Sequence, residues 1–247
     1  MHQVLFTRPH HQHIAHVLAS LDAPLLKAHH CLFGGGTAMA LRYGEYRESL
    51  DIDFMVSGIA HYRALRLLLT GAQGVQGIVR EGAAPLTQVR DMRADQYGIR
   101  TMVSVLGQPI KLEIVLEGRI TFDQPLARDA VCGIATLTPR DMCASKLLAN
   151  SDRWADDGVF SRDVIDLAMM QPSLPLLRLA IAKAQGAYGA SVCADLAKAI
   201  NALEQRNGWL ARCTTMMGIA MPKALVWQRV RRLRKVLPKD AIAQEAA

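Results

Sequence analysis

Residues 33–54 read FGGGTAMALRYGEYRESLDIDF and contain the two features from which the fold is predicted. After Phe33 come three consecutive glycines, and the stretch ends on an alternating segment that contains Asp51 and Asp53. Because successive side chains of a strand point to opposite faces, this segment predicts both carboxylates on one face. The other face, directed into a core, is predicted to carry Ile52, Phe54 and Val56.

The two aspartates predict a metal site. Two carboxylates side by side repel each other, and the arrangement is unfavourable unless a cation lies between them. Oxygen ligands of this kind favour hard divalent cations, so the sequence predicts Mg²⁺ or Mn²⁺ held by Asp51 and Asp53.

The glycines predict a phosphate-binding turn. A glycine-rich turn that leads into a helix presents backbone N–H groups and the positive end of the helix dipole to an anion. The turn is not a Walker A loop, because no Gly-Lys-Ser/Thr follows it at the required distance. It is not a dinucleotide fingerprint either, because Met39 stands where the third glycine is required.

Together, the glycine turn and the Asp-x-Asp segment resemble the signature of polymerase-β-like nucleotidyltransferases. The narrower pattern is similar to that of the AbiEii/AbiGii (MenA-type) toxin nucleotidyltransferases. The residues that carry this resemblance are Gly35, Gly36, Thr37, Ala38, Leu41, Arg47, Ser49, Asp51, Ile52, Asp53 and Phe54. The resemblance implies an α/β nucleotidyltransferase core with a mixed sheet over residues 1–137, followed by a helical domain over 138–247.

The resemblance also implies roles for individual residues. Asp51 and Asp53 would hold the metal, and the phosphates of an NTP substrate would contact Gly35, Gly36, Thr37 and Ser49. Members of the superfamily place a third acid on the strand next to Asp-x-Asp. In the predicted strand Ile110–Leu116, Glu113 alternates with apolar residues and so lies on the opposite face from them. Glu113 is thus predicted as a metal ligand or general base. The alternative is a polar-face residue paired with a lysine or arginine.

A second pattern supports the same family. Residues 146–167 resemble the family's Lys-x-x-Ala, an arginine, and then Arg/Lys-Asp-x-x-Asp-Leu, here Lys146, Ala149, Arg153, Arg162, Asp163, Asp166 and Leu167. The resemblance implies that Lys146 and Asp163 belong to the active site, where a lysine offsets charge on the triphosphate. The alternatives are a surface lysine at 146, and at 163 a helix-dipole or salt-bridge residue.

The positive charge of the chain is concentrated near its C-terminal end. The formal net charge is +7, and residues 223–239 contain seven lysines and arginines and no acid, so the remaining 230 residues are formally neutral (+7 − 7 = 0). This segment predicts either a solvated helix face or a surface that binds nucleic-acid phosphates. The predicted contacts are Arg229, Arg231, Arg232, Arg234 and Lys235.

Composition narrows the class of protein. The hydrophobic content of 51% argues against disorder, and no apolar run approaches the roughly 20 residues of a membrane span. The N-terminus lacks the apolar centre of a signal peptide, so a cytoplasmic protein without membrane contact is expected. All eight histidines precede residue 62, and we expect surface or half-buried imidazoles, with a metal pair at His13 and His16 as the alternative.

Periodicity predicts the remaining elements. A short helix is expected at Ala38–Arg42. A strand is expected at residues 77–80, and a hairpin is expected to join residues 99–106 to 110–116. Thr138 and Ser161 are each expected to cap a helix, since each precedes a helical pattern. Three further helices are predicted at roughly 174–186, 190–206 and 222–237. The last is predicted to carry an apolar stripe of Val226, Val230, Leu233 and Leu237.

These patterns predict a metal-dependent nucleotidyltransferase that moves an NMP from an NTP to an acceptor hydroxyl and releases pyrophosphate. The resemblance implies a toxin of a toxin–antitoxin pair that acts on the 3′ end of tRNA, with a cognate antitoxin as a further partner. Three alternatives stay open at this point. They are a small-molecule enzyme of the aminoglycoside-modifying kind, a protein-modifying enzyme, and a binding module of the same fold without activity.

Overall fold

The computed structural model describes residues 6–238, and their contacts divide them into two compact units. The first unit contains the chain up to Glu45 together with Ser49–Thr138. The second contains the chain from Pro139 onward together with Tyr46–Glu48. The sequence did not predict that these three residues, which lie within the stretch quoted above, would pack with the second unit.

The first unit is built on a five-stranded sheet flanked by helices. The elements are α1 (Pro9–Ser20), α2 (Ala23–Ala28), β1 (Leu32–Phe33), α3 (Gly35–Arg42), β2 (Ile52–Val56), α4 (Ile59–Thr70), β3 (Thr87–Ala94), β4 (Gly98–Val105), β5 (Gln108–Leu116), β6 (Ala130–Val131) and β7 (Ile134–Ala135). The strand order in the large sheet is β1-β2-β5-β4-β3, and β6 and β7 form a separate two-stranded sheet. The pair β2–β5 is parallel and the other pairs are antiparallel, which confirms the predicted mixed sheet.

The register of β2 and β5 brings the predicted acidic residues to one side of the sheet. Asp53 pairs with Glu113, and the buried positions alternate with half-buried ones along both strands. The core face carries Ile52, Phe54, Val56, Leu112 and Ile114, all of them buried. The predicted alternation of β2 is therefore confirmed, although the strand begins at Ile52, one residue after Asp51.

Two elements of the first unit differ from the prediction. The segment around residues 77–80 is not a strand, because Gly74–Ile78 forms a 3₁₀ helix. Val75 and Ile78 are both buried, and a spacing of three residues places them on one side of a 3₁₀ helix. The edge strand of the sheet is instead Thr87–Ala94, whose mostly exposed polar residues carry little hydrophobic signal.

The second unit is helical. Its helices are α5 (Pro139–Arg153), α6 (Arg162–Met169), α7 (Leu174–Tyr188), α8 (Ser191–Gln205), α9 (Trp209–Met216) and α10 (Lys223–Arg232), and a 3₁₀ segment Leu233–Val236 continues the last of them. The predicted apolar stripe of the last helix is buried, namely Val226, Val230, Leu233 and Leu237. Lys239, the last residue of the basic segment, lies outside the described residues.

Two predictions for the second unit were incomplete. Helix α9 was missed, because only eight residues form it and they include polar Arg212, Thr214 and Thr215. Ser161 precedes α6 but makes no capping hydrogen bond, since its backbone is left-handed with φ 49°. Its hydroxyl instead accepts a hydrogen bond from the indole Nε1 of Trp209 at 2.9 Å.

No helix within residues 6–238 has the length and apolar character needed to cross a membrane.

Candidate functional site

The glycine turn packs directly on the side chain of Asp53. Gly35 has φ +65°, and a Cβ added there would lie 2.8 Å from the Cβ of Asp53 and overlap its carboxylate. Gly34 is less confined, since its Cβ would come within 2.9 Å of the sulfur of the flexible Met55 side chain. The backbone N–H of Gly34 also donates to the carbonyl oxygen of Asp53 at 2.8 Å. The approach of the turn to β2 therefore requires glycine at position 35.

Helix α3 begins inside the glycine turn, three residues earlier than predicted. Its first hydrogen bond runs from the N–H of Ala38 to the carbonyl of Gly34. The N–H groups of Gly35, Gly36 and Thr37 precede this bond and therefore have no acceptor within the helix. They lie at the positive end of the helix dipole, close to the Asp53 carboxylate, which is the arrangement of an anion-binding helix terminus.

Two of the predicted phosphate contacts bind each other. The hydroxyls of Thr37 and Ser49 lie 2.7 Å apart, and Thr37 is 1% exposed whereas Ser49 is half-buried. Because each hydroxyl can both donate and accept, the pair can offer one further proton to a neighbouring oxygen. The structure therefore joins the first turn of α3 to the segment that precedes Asp51.

Lys111 is the cation that lies among the acidic residues. Its ammonium group pairs with Glu113, which is also bound by the guanidinium of Arg100. The hydrogen bond to Glu113 raises the pKa of Lys111 against the effect of burial, and the negative charges of Glu113, Asp51 and Asp53 raise it further. A protein side chain thus already offsets part of the repulsion between the carboxylates.

The cationic partners of Glu113 favour one of its two predicted roles, metal ligand or general base. Burial alone would raise the pKa of the Glu113 carboxyl, but the contacts with Lys111 and Arg100 outweigh burial and lower it. A carboxylate with a lowered pKa is a weak base, so this geometry favours an electrostatic or metal-binding role over proton abstraction. The alternative interpretation, a polar residue paired with a lysine or arginine, also describes these contacts.

The carboxylate oxygens near the glycine turn are ligands suited to the predicted Mg²⁺ or Mn²⁺. In the described part of the chain, no group of three or more His, Cys, Asp or Glu side chains is arranged to hold a metal ion. Mg²⁺ is commonly bound by one or two carboxylates together with substrate phosphates, and it does not need a complete protein cage. The half-buried Asp51 and Asp53, beside an anion-binding helix terminus, match that requirement.

The predicted residues of the second motif form an ion network inside the second unit. Lys146 pairs with Asp163 at 2.9 Å and with Asp166 at 2.7 Å. Arg153 binds both oxygens of Asp163, at 2.7 and 3.0 Å, and Arg47 binds both oxygens of Asp166, at 2.7 and 2.9 Å. Three cations therefore surround two carboxylates, and the negative charge of Asp152 also acts on Arg153.

Burial excludes one of the two interpretations of Lys146. Its side chain is 8% exposed, so the surface-lysine alternative is wrong. Burial would raise the pKa of the Asp166 carboxyl, but the charges of Arg47 and Lys146 outweigh it and hold the pKa well below its ordinary value. For Asp163, Lys146 and Arg153 likewise outweigh burial, so both carboxylates are ionised at neutral pH.

The residues predicted to contact nucleic acid differ in exposure and in their contacts with other side chains. Arg231, Arg232 and Lys235 are exposed. Arg234 is half-buried, binds Glu204 and Asn201, and lies 5.7 Å from the ring centre of Trp227. Arg229 is also half-buried and donates to the sulfur of Met169 at 3.2 Å. The three exposed residues are those best placed to contact a polyanion.

A cavity of about 240 Å³ lies in the second unit beside helix α10. Its lining includes Arg229 and Arg232 together with apolar residues such as Leu174, Leu177 and Leu225. None of the residues predicted to bind the NTP or the metal lines this cavity.

Sequence reasoning missed the contacts that hold Ser49. The backbone N–H of Ser49 donates to Nε2 of His11 at 3.2 Å, and Nδ1 of His11 contacts Glu45 at 2.8 Å. We expected surface or half-buried histidines, whereas His11 is completely buried. The available signal was the position of His11 on the apolar side of α1, three residues before the buried Ile14.

Comparisons with known proteins found one matching family and two similar folds. The family model described as nucleotidyl transferase AbiEii toxin, type IV TA system, matches residues 16–236. Two crystal structures from Helicobacter pylori have similar folds: a protein classed as a nucleotidyltransferase and JHP933. Their TM-scores are 0.54 and 0.53, and each is 17% identical in sequence to this chain. The matched regions cover 97% and 98% of this chain, respectively, and 99% of each crystal-structure chain. No curated protein matches the sequence.

The ion network predicts that Lys146 is important for stability. Lys146→Ala leaves Asp163 and Asp166 with one cation each, so we expect a loss of about 3 kcal/mol in the free energy of unfolding, measured with urea. The control is Lys198→Ala, which removes a half-exposed pair with Asp195 and should cost at most ~0.5 kcal/mol. Equal, small effects of both substitutions would contradict the assignment.

Proposed function

Because the chain belongs to the AbiEii family of nucleotidyltransferase toxins, we propose that it transfers an NMP from an NTP to a hydroxyl at the 3′ end of tRNA. The observation that carries the proposal is the glycine turn, which packs against Asp53 at the start of α3. In the reaction the acceptor oxygen bonds to the α-phosphorus and the bond between that phosphorus and the α–β bridging oxygen breaks. Pyrophosphate leaves, and the hydroxyl proton passes to a base or to water.

We assign the NTP phosphates to the first turn of α3. The N–H groups of Gly35, Gly36 and Thr37 would donate to phosphate oxygens at the positive end of the helix dipole. The hydroxyl pair of Thr37 and Ser49 would supply a further proton to the same oxygens. The absence of a side chain at Gly35 supports this assignment, since it lets the turn approach Asp53, so that phosphates on the N–H groups and a metal on the carboxylate would be adjacent.

We assign the metal, Mg²⁺ or Mn²⁺, to Asp51 and Asp53. When bound, such an ion neutralises phosphate charge and orients the attacking and leaving oxygens. Glu113 lies directly across from Asp53 in the register of the two strands. Its lowered pKa and its two cationic partners support a role in fixing the charge balance of this site or in holding the metal.

The family resemblance assigns Lys146 and Asp163 to the reaction as well. We propose that Lys146 contributes positive potential to triphosphate binding and that Asp163 orients it. The 2.9 Å contact between the two side chains supports the role of Asp163 in orienting Lys146. Because Lys146 also stabilises the second unit, its catalytic contribution has to be measured at a temperature where the variant remains folded.

We propose that the exposed side of α10 and the 3₁₀ segment after it binds tRNA phosphates. Arg231, Arg232 and Lys235 are exposed, and residues 223–238 contain no acid. Phosphate contacts supply most of the affinity of such an interface without reading sequence. A family of toxin–antitoxin systems also implies a cognate antitoxin as a partner of this protein.

The activity itself can be tested with Asp53→Asn. The wild-type protein, incubated with each radiolabelled NTP, Mg²⁺ and total tRNA, should label the RNA band of a gel that separates RNA from protein. Asp53→Asn keeps the size of the side chain but removes a carboxylate, so labelling should fall at least about 10³-fold while the melting temperature changes little. Label on a protein band would instead support the protein-modifying alternative. Wild-type labelling by Asp53→Asn would refute the proposed metal site.

The nucleic-acid surface can be tested by charge reversal. Arg231→Glu with Arg232→Glu should weaken tRNA binding at least about tenfold and lower the slope of log affinity against log salt by roughly 2, because two phosphate contacts are lost. Arg234 is left intact because it binds Glu204. The matched control reverses Arg63 and Arg66, two exposed arginines of α4, and changes the net charge equally. The assignment fails if both double variants bind tRNA equally well.

A further inference from the structure

The N-terminal end of helix α1 is held by Glu45, a residue distant in sequence. The Glu45 carboxylate accepts hydrogen bonds from the backbone N–H groups of Thr7 and Arg8, at 2.7 and 3.2 Å, and from the Thr7 hydroxyl at 2.9 Å. Arg8, at the N-cap position, makes no side-chain capping bond of its own. Glu45 therefore accepts from the N–H of the N-cap residue, as the acid of a capping box does, and its charge also suits this end of the helix dipole.

The same carboxylate fixes the orientation of His11. Nε2 of His11 faces the N–H of Ser49, which can only donate, so Nε2 must be the acceptor. The proton of the neutral ring is then on Nδ1, from which it is donated to Glu45. Burial raises the pKa of Glu45, but the bonds from Thr7, His11 and Arg8 outweigh burial and lower it to about 2. Both nitrogens of this fully buried ring are therefore in use.

The residues held by α1 are those that immediately precede Asp51. His11 holds the N–H of Ser49, and His10 donates from its Nε2 to the carbonyl oxygen of Leu50 at 2.9 Å. Two consecutive histidines thus fix two consecutive residues. The hydroxyl of Ser49 in turn contacts Thr37 in the first turn of α3. A continuous set of hydrogen bonds connects Glu45 to the glycine turn through His11 and Ser49.

We propose that His11 is a positioning residue for the NTP, acting through Ser49. The imidazole holds the backbone of Ser49 so that its hydroxyl lies against Thr37, at the place where the proposed function puts the phosphates. The inference rests on the proposed function for the identity of the ligand. The family match begins at residue 16, so it does not extend to His11. If the His11 ring only filled space in the core, its Nε2 would not need to accept a hydrogen bond from the N–H of Ser49.

Two substitutions distinguish the contributions of the two ring nitrogens of His11. The amide nitrogen of Asn takes the place of Nδ1, so His11→Asn keeps the bond to Glu45 and loses the acceptor for Ser49. The amide oxygen of Gln takes the place of Nε2, so His11→Gln keeps the acceptor for Ser49. The control is His16→Asn, the same change at an exposed position of the same helix. The readouts are steady-state kinetics and NTP affinity measured by equilibrium dialysis.

We expect His11→Asn to raise KM for the NTP and weaken its binding by about tenfold, with kcat within about twofold of wild type. His11→Gln and His16→Asn should both remain within about twofold. Ser49→Ala should weaken binding to a similar extent, and the double variant His11→Asn with Ser49→Ala should be no worse than either single variant, because the two residues act in series.

Several results would overturn the proposal. One is wild-type NTP affinity in His11→Asn. Another is an equal loss in His11→Asn and His11→Gln with equal drops in melting temperature, since that would show a structural role alone. If His11→Asn does not fold, Ser49→Ala decides, and unchanged NTP affinity in that variant rejects the inference. Other results would refute the proposed function itself. These are wild-type activity in Asp53→Asn, or no NTP binding by the wild-type protein, and neither depends on the results for the His11 variants.

Discussion

The first unit depends on one close contact, that between the backbone of Gly35 and the side chain of Asp53. The contact exists because position 35 has no Cβ and adopts φ +65°, a combination that glycine tolerates best. It brings the start of a helix, whose first N–H groups have no acceptor within the helix, against a carboxylate on a strand. In the function proposed above, the helix start would bind phosphate and the carboxylate would bind a metal ion, so an NTP–metal complex would satisfy both.

The cations of this protein are used in two ways. Lys111, Arg100 and the three cations of the Lys146 network are paired with carboxylates and largely lose the freedom to seek other partners. The exposed Arg231, Arg232 and Lys235 remain available to a mobile polyanion. Paired cations set the charge and rigidity of a site, whereas exposed ones contribute to binding that weakens with salt.

The sequence predicted the parts of the site that depend on local rules. Strand alternation placed Asp53 on the face opposite to Ile52 and Phe54, and the structure has that alternation. Helix α3 was placed too far along the chain, because glycines are poor helix formers and only tertiary contacts with Asp53 explain a helix that begins at Gly35. The roles of Asp51, Gly36 and Asp163 in an NTP reaction stay predictions.

What sequence reasoning could not find depends on contacts between distant segments. Nothing local to Glu45 indicates that it caps α1, and nothing local to His11 indicates that both ring nitrogens are used. The same holds for Arg47, which is near the glycine turn in sequence but packs with Asp166 in the second unit. Such pairs are separated by tens of residues, whereas periodicity reports only on neighbours within a few turns.

The central claim is that the turn at Gly35 and the carboxylates of Asp51 and Asp53 together hold an NTP and its metal. The most direct test is a crystal structure with Mn²⁺ and a non-hydrolysable NTP, read by the anomalous signal of manganese. The account predicts an anomalous peak bridging the Asp51 and Asp53 carboxylates, with phosphate oxygens within hydrogen-bonding distance of the Gly35–Thr37 N–H groups. A manganese peak and triphosphate density located elsewhere in the molecule would contradict it.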